Sequence, residues 1–118
     1  MAAPNIFTAT SCIAKSAHAV ATTSAVAIIT NAASSGKVFK VNSILAINKS
    51  TDFADITVDI FRSSVSYPVA FAITVPTKST LVVLGKDTPL YMEEGDSLRI
   101  LASTASALNV TVVYEEVN

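Results

Sequence analysis

The chain has 118 residues, and its eight lysines and arginines stand against nine aspartates and glutamates, for a formal net charge of −1. This length suits one domain with a hydrophobic core of its own, so we predict a single domain over residues 1–118. The balanced charge argues against a nucleic-acid partner, which would require a clustered basic excess. One cysteine, Cys12, and one histidine, His18, exclude a disulfide framework and a zinc site built from such ligands. We therefore expect no cofactor and no metal.

The N-terminal third combines β-branched residues with much alanine. Residues 8–19 and 24–30 favour strands, although their alanine content leaves a helix open on propensity alone. Cys12 falls in the first of these segments, where we predict a small, buried apolar side chain. The start of the chain lacks the basic and apolar regions of a signal peptide, and polar residues interrupt stretch 17–33, so we expect no membrane span. Residues 1–10 show no periodicity, and we predict an extended arm that lies over a neighbour.

Alternation of apolar and polar residues with period two dominates the rest of the chain, and it predicts half-buried strands. A continuous apolar run over residues 81–84 predicts a strand buried on both faces. The alternating sets that we expect to face the core are Phe39, Val41, Leu45 and Ile47; Ile56, Val58 and Ile60; Tyr67, Val69, Phe71, Ile73 and Val75; Leu98 and Ile100; and Leu108, Val110, Val112 and Tyr114.

Turn-forming residues separate these runs about every 10 to 14 residues, a spacing typical of all-β domains. Pro68 lies near the start of its run, and Pro76 and Pro89 lie between runs, where a missing N–H costs little. No segment shows a long helical periodicity. The sequence therefore predicts an all-β fold, a single-domain antiparallel β-sandwich of two sheets, of which the jelly roll is one arrangement.

The polar residues offer little for catalysis. No motif surrounds His18, so we interpret it as an exposed or hydrogen-bonded strand residue. Asp55 and Asp59 share a strand face but lie about 13 Å apart, too far to act on one bond. The acidic turn at residues 93–96 is typical of a solvated turn, and a weak Ca²⁺ site is the alternative. We predict no catalytic residue and no enzymatic activity.

The predicted outer faces carry small, uncharged residues where a free monomer would place lysine and glutamate. Serine and threonine supply nearly a quarter of the chain. Ala70, Ala72 and Thr74 alternate with an apolar set, and with Ile6 and Phe7 of the arm they form our predicted interface. Such faces are readily desolvated, which suits a homo-oligomer or burial against a larger partner. The alternative is a sandwich with mildly polar faces and no partner.

Three stretches resemble a protein family. PTKSTLVVLGKDTPLYMEEGDSL over residues 76–98 and ALNVTVVYEE over residues 107–116 resemble small virion structural proteins of tailed bacteriophages. The opening APNIFTATS over residues 3–11 is similar to proteins of phages that infect marine cyanobacteria. The resemblance implies a non-enzymatic component of the virion that is present in many copies.

Within that class we expect a capsid decoration, or cement, protein that binds the major capsid protein. The resemblance leaves open a neck adaptor or a tail-fibre-associated adaptor of the same virion. A different class is a carbohydrate-binding module for attachment, in which aromatic side chains would form a sugar platform. We expect virion proteins as partners, and neither nucleic acid nor membrane.

Overall fold

A computed structural model describes residues 8–118 of the chain, so Ile6 and Phe7 of the predicted interface lie outside the described residues. Within that range, no helix is long and apolar enough to cross a bilayer. The last residues of the predicted arm are tied to the C terminus, since the N–H of Thr10 donates to the carbonyl of Asn118 at 2.8 Å. The strands are β1 Cys12–Val20, β2 Val26–Thr30, β3 Val38–Asn48, β4 Ala54–Arg62, β5 Val65–Val75, β6 Thr80–Leu84, β7 Leu90–Met92, β8 Ser97–Ala102 and β9 Leu108–Val117.

The strands form two antiparallel sheets. Sheet A has the order β1-β9-β3-β6, with β7 also paired to β3, and sheet B has the order β2-β8-β4-β5. The first strand pairs with the last in sheet A, and the second pairs with the eighth in sheet B, which is the arrangement of a jelly roll. The predicted two-sheet sandwich is confirmed. The helical alternative for the first third is wrong, because pairing of β1 with β9 and of β2 with β8 overrides the helix propensity of alanine.

The core lies between the inner faces of the two sheets. The predicted alternation is confirmed in β4, β8 and β9, where the inward residues are all buried. Full burial of each such side chain contributes about 1.5–3 kcal/mol, which makes this layer the main source of stability. The confirmed inward residues are Ile56, Val58, Ile60, Leu98, Ile100, Leu108, Val110, Val112 and Tyr114.

A bulge in β3 overturns half of the predicted alternation in that strand. The register against β9 shifts after Val41, so the side chains that follow exchange faces. Ile44 and Ala46 are fully buried in the core. Leu45 and Ile47, which we predicted to face inward, instead lie on the outer face of sheet A and are only half-buried.

The strand β5 departs from its predicted pattern for the same reason. Its pairing with β4 contains two register shifts, and Ala72 has a φ of 50° within the first of them. The predicted inward set is therefore broken, and Phe71 is 73% exposed instead of buried. Ala72 lies in a backbone conformation that L-residues seldom adopt, which fits the irregular geometry of a bulge.

Two further predictions of burial are wrong because the segments lie on sheet edges. The run over residues 81–84 belongs to β6, which borders sheet A, and Val82 is 58% exposed. Cys12 is exposed on β1 at the opposite edge. Neither hydrophobicity nor run length distinguishes an edge strand from a central one, so both were predicted to be internal.

Two fully buried asparagines hold loops against the core. The Nδ2 of Asn48 donates to the carbonyls of Asp52 at 2.9 Å and Val75 at 3.0 Å, and its Oδ1 accepts from the N–H and Oγ of Ser50. Asn31 forms similar hydrogen bonds in the loop between β2 and β3, where its Nδ2 donates to two backbone carbonyls. Because all of these groups are satisfied, the buried amides stabilise the loops that enter and leave β3.

We predict that Asn48→Ala lowers the free energy of unfolding by about 1–3 kcal/mol, because buried backbone carbonyls lose their donor. Urea denaturation followed by circular dichroism measures the change. Lys49→Ala is the matched control, since the neighbouring side chain is exposed and should change stability little. Equal stability of the two variants would contradict the structural role of Asn48.

Glu116 is a buried carboxylate on the inner side of β9, held by two lysines. The Nζ of Lys15 lies 2.9 Å from Oε2, and the Nζ of Lys37 lies 3.1 Å from Oε1. The hydrogen bond from Lys15 is the largest cause that lowers the pKa of Glu116, and Lys37 adds to it. Since the folded-state pKa lies below the unfolded value, this group stabilises the fold above about pH 4.5 and loses that effect as pH falls through the folded-state pKa.

We predict that Glu116→Gln has a lower melting temperature at neutral pH and a shallower loss of stability on acidification below about pH 4.5. The measurement is thermal unfolding across that range of pH. Asp87→Asn removes one exposed carboxylate and is the control. If the parent chain and Glu116→Gln lose stability in parallel as the pH falls, Glu116 does not contribute to the acid sensitivity.

Candidate interaction surface

The outer face of sheet A contains a continuous uncharged patch, which we call the A face. The strand registers align its residues in three rows, of which two cross β1, β9, β3 and β6 and one crosses β1, β9 and β3. No aspartate, glutamate, lysine or arginine occurs among them. The first row is Val20, Asn109, Ile47 and Thr80; the second is His18, Thr111, Leu45 and Val82; the third is Ser16, Val113 and Ser43.

The A face exposes apolar side chains, whereas a surface without a partner normally carries polar residues at such positions. Val82 is 58% exposed, Val20 49% and Val113 36%. Leu45 and Ile47 are half-buried between them. The bulge in β3 brings Leu45 and Ile47 onto the face in place of Ile44 and Ala46, which it turns into the core. On a protein surface, a contiguous patch of exposed apolar side chains often marks a site of interaction.

A shallow groove of about 280 Å³ crosses the A face between β1 and β3. Val20 and Ile47 line it, and Asn109 lies between them on β9. The Oδ1 of Asn109 is buried and accepts no hydrogen bond from the described part of the chain. His18 also lines the groove and is exposed, with its Nδ1 3.1 Å from the Oγ1 of Thr111, which confirms the predicted strand role of the histidine.

One end of the outer face of sheet A, beyond the three rows, carries a polar cluster around Glu115. The Nδ2 of Asn42 donates to its Oε1 at 3.0 Å, and the thiol of Cys12 donates to its Oε2 at 3.2 Å. The hydrogen bond from Asn42 is the largest cause that lowers the pKa of Glu115. The hydrogen bond to Glu115 is also the main cause that raises the pKa of Cys12. Because the thiolate is disfavoured, Cys12 is a poor nucleophile at neutral pH.

The outer face of sheet B is different, because its charged groups satisfy one another. The guanidinium of Arg99 donates to both carboxylate oxygens of Asp59, at 3.0 Å and 2.7 Å, and the hydroxyl of Ser66 also donates to Asp59. Arg99 lies 4.1 Å above the centre of the Phe61 ring. The hydrogen bond from Arg99 is the main cause that lowers the pKa of Asp59. Covering this face would remove the hydration of an ion pair that is already made, which costs free energy, so it is the less favourable face for docking.

The acidic turn that we considered for Ca²⁺ uses its carboxylates within the fold. Asp96 is almost fully buried and accepts from the Nε of Arg62 at 2.8 Å and from its Nη2 at 2.6 Å. Its carboxylate also raises the pKa of Arg62. Glu94 accepts from the N–H of Gly36 at 2.9 Å. Among the described residues there is no group of three or more potential metal ligands.

The structure does not bring the predicted interface residues of β5 together on one face. Ala70 lies opposite the inward-facing Val58 and is half-buried, and Ala72 lies in the bulge, where its N–H donates to Thr57. Thr74 lies opposite Asp55 and donates to it at 2.9 Å. Sequence reasoning missed the A face because its aliphatic residues are separated in the chain and the bulge in β3 is invisible to a period-two pattern.

A cleft of about 370 Å³ opens beside β5 and β7, away from the A face. Tyr67 and Tyr91 line it and are about half exposed, and Ile60 and Leu90 contribute apolar surface. Arg62 also lines the cleft, although Asp96 and Glu93 already engage its guanidinium. Two exposed tyrosines beside apolar surface could stack on a sugar ring.

Comparison with known proteins identifies the fold and no family. No protein-family model matches the chain, and no curated protein matches it significantly. Among solved structures, it is similar to a subunit described under "Bacillus endospore appendages form a novel family of disulfide-linked pili". The two share 17% sequence identity with a TM-score of 0.55, over 90% of this chain and 84% of that one. At this identity the likeness shows that both have the same two-sheet β-sandwich, and nothing more.

Proposed function

We propose that this protein is a non-enzymatic structural subunit, a capsid decoration protein that docks on the major capsid protein of a phage through its A face. The observation that carries the proposal is the contrast between the two outer faces. The A face exposes uncharged, apolar residues, whereas the polar groups of the other face already pair with one another. We choose a phage capsid as the partner because residues 76–98 and 107–116 resemble virion proteins.

The size of the A face favours many weak contacts over one strong contact. Four strands about 4.8 Å apart and three rows about 7 Å apart cover roughly 400 Å². A stable interface buries about 800 Å² per partner, so the A face supplies about half of a standard interface. A repetitive shell compensates for this, because neighbouring subunits raise the effective concentration of each further contact. A structural coat therefore suits this surface better than a high-affinity one-to-one complex.

A fibre subunit is the second candidate, and the likeness to an endospore appendage protein favours it. A pilus protein with the same β-sandwich supports this candidate. In a fibre the A face would contact another copy of the chain instead of a capsid protein. Electron microscopy of the purified chain distinguishes the two: filaments without any capsid protein support the fibre, whereas binding only to capsids supports decoration.

The decisive measurement is the copy number of the chain in purified virions, determined by quantitative mass spectrometry. Hundreds of copies per particle support capsid decoration. A dozen copies or fewer indicate a neck or tail-fibre adaptor, and absence from particles contradicts a virion role. A glycan array tests the carbohydrate-binding class, for which Tyr67→Ala and Tyr91→Ala should abolish any signal.

We predict that Val82→Glu weakens binding to undecorated capsids at least about tenfold, because docking would bury an unpaired carboxylate. Val65→Glu is the matched control, since Val65 is 47% exposed on β5 of the other sheet. Both substitutions are on exposed positions, so both variants should fold with unchanged circular dichroism. Co-sedimentation with capsids measures binding. Equal loss of binding in the two variants, or no loss in Val82→Glu, would exclude the A face.

A further inference from the structure

The strand β1 is an edge strand without the features that usually prevent pairing with another chain. Nine consecutive residues of β1 pair with β9 without a register shift, and no described segment covers the other edge of the strand. Natural edge strands are normally short, bulged, or interrupted by proline or charge. The only charged side chain of β1, Lys15, reaches back to Glu116 on β9.

The other edge strands of the described chain all carry such protection. In sheet A, β6 and β7 have five and three residues. In sheet B, β2 contains a register shift, and β5 contains Pro68, two register shifts and the positive φ of Ala72. The long, regular edge of β1 is therefore an exception within this molecule.

The hydrogen-bond pattern shows which residues of β1 present free backbone groups. Ser11 exchanges two hydrogen bonds with Asn118, and the N–H of Ala21 donates to the carbonyl of Leu108. In an antiparallel pair such bonded positions alternate, so the odd-numbered residues of β1 bond to β9. The even-numbered residues direct their N–H and C=O groups to the open edge. These are Cys12, Ala14, Ser16, His18 and Val20.

We propose that two copies of this chain pair through β1, antiparallel, about a twofold axis at Ser16. This register places Ser16 opposite Ser16 of the second copy, Ala14 opposite His18, and Cys12 opposite Val20. All nine residues of β1 then overlap, and every edge-directed N–H and C=O finds a partner. The two sheets A become one continuous sheet of ten strands, five from each copy.

The side chains of β1 fit this self-pairing. Lys15 falls opposite Ala17 of the second copy, so like charges are not directly opposed. Ile13 has the inward orientation but is 53% exposed at the open edge, and it falls opposite Ala19. Pairing would therefore cover apolar surface that the isolated sandwich leaves in water. A second copy fits the edge better than an unrelated strand, because the overlap is complete in a symmetric register.

The dimer also changes the size of the docking surface. Residues opposed in an antiparallel pair point to the same side, so the A faces of the two copies lie on one side of the continuous sheet. Together they span roughly 800 Å², the area of a standard interface for one partner. The pairing itself follows from strand geometry and does not depend on the proposed role on a capsid. Failure of capsid binding would leave it intact.

Ser16→Pro tests the pairing without disturbing the fold. The N–H of Ser16 points to the open edge, so proline removes no hydrogen bond to β9. We expect the parent chain to show about twice its 12.3 kDa mass in analytical ultracentrifugation at about 100 µM, and Ser16→Pro to show the single-chain mass with little change in melting temperature. Ala17→Pro is the control, because it removes a hydrogen bond to β9 and should lower the melting temperature. A monomeric parent chain, or a Ser16→Pro variant that still dimerises, overturns the proposal.

Oxidative cross-linking tests the register independently of stability. In a Cys12→Ser background, Ser16→Cys places two thiols on opposed residues whose Cα atoms lie about 5.5 Å apart, within disulfide range. His18→Cys is the matched control, because its two copies lie about 13 Å apart along the strands. We expect a covalent dimer only with Ser16→Cys. Equal cross-linking of the two variants, or none with Ser16→Cys, contradicts the register.

Discussion

The pairing of β9 with both β1 and β3 is the interaction on which the rest of the structure depends. β9 is the last strand of the chain, yet it lies in the interior of sheet A between the first and third strands. Its inward residues form much of the core, and its outward residues form the middle column of the A face. Glu116 on the same strand forms ion pairs with Lys15 and Lys37, so β9 also carries the charge cluster that connects β1 to the residue before β3.

One inserted residue in β3 determines which of its aliphatic side chains lie on the outer face of sheet A. Without the shift after Val41, Leu45 and Ile47 would continue the inward set, and Ile44 and Ala46 would lie on the outer face. In the second half of β3, the bulge thus reverses which aliphatic side chains face the core and which face the surface. The outer face of sheet B is charged instead, and its Arg99 and Asp59 form an ion pair. The sandwich therefore has one face suited to desolvation and one suited to water.

The sequence predicted the fold class well, and the burial of individual strands less well. Regular alternation identified β4, β8 and β9 because each of them pairs with one neighbour without a register shift, β4 with β8 and β9 with β1. It failed wherever a strand contained a bulge, as in β5, where Phe71 is exposed, or lay at an edge, as in β6. The sequence did not predict the short strand β7, because three residues are too few to show an alternation of apolar and polar side chains. Composition indicated uncharged outer faces, but it could not place them on sheet A, since position depends on register and register depends on bulges.

The interior position of β9 has a consequence for the order of events during synthesis. β9 is synthesised after every other described strand, so β1 and β3 lack their shared neighbour until β9 has been made. Neither the complete sheet A nor its outer face exists before that point, and pairing across such a long separation is slow compared with local folding. The outer face of sheet A is therefore among the last parts of the described fold to form.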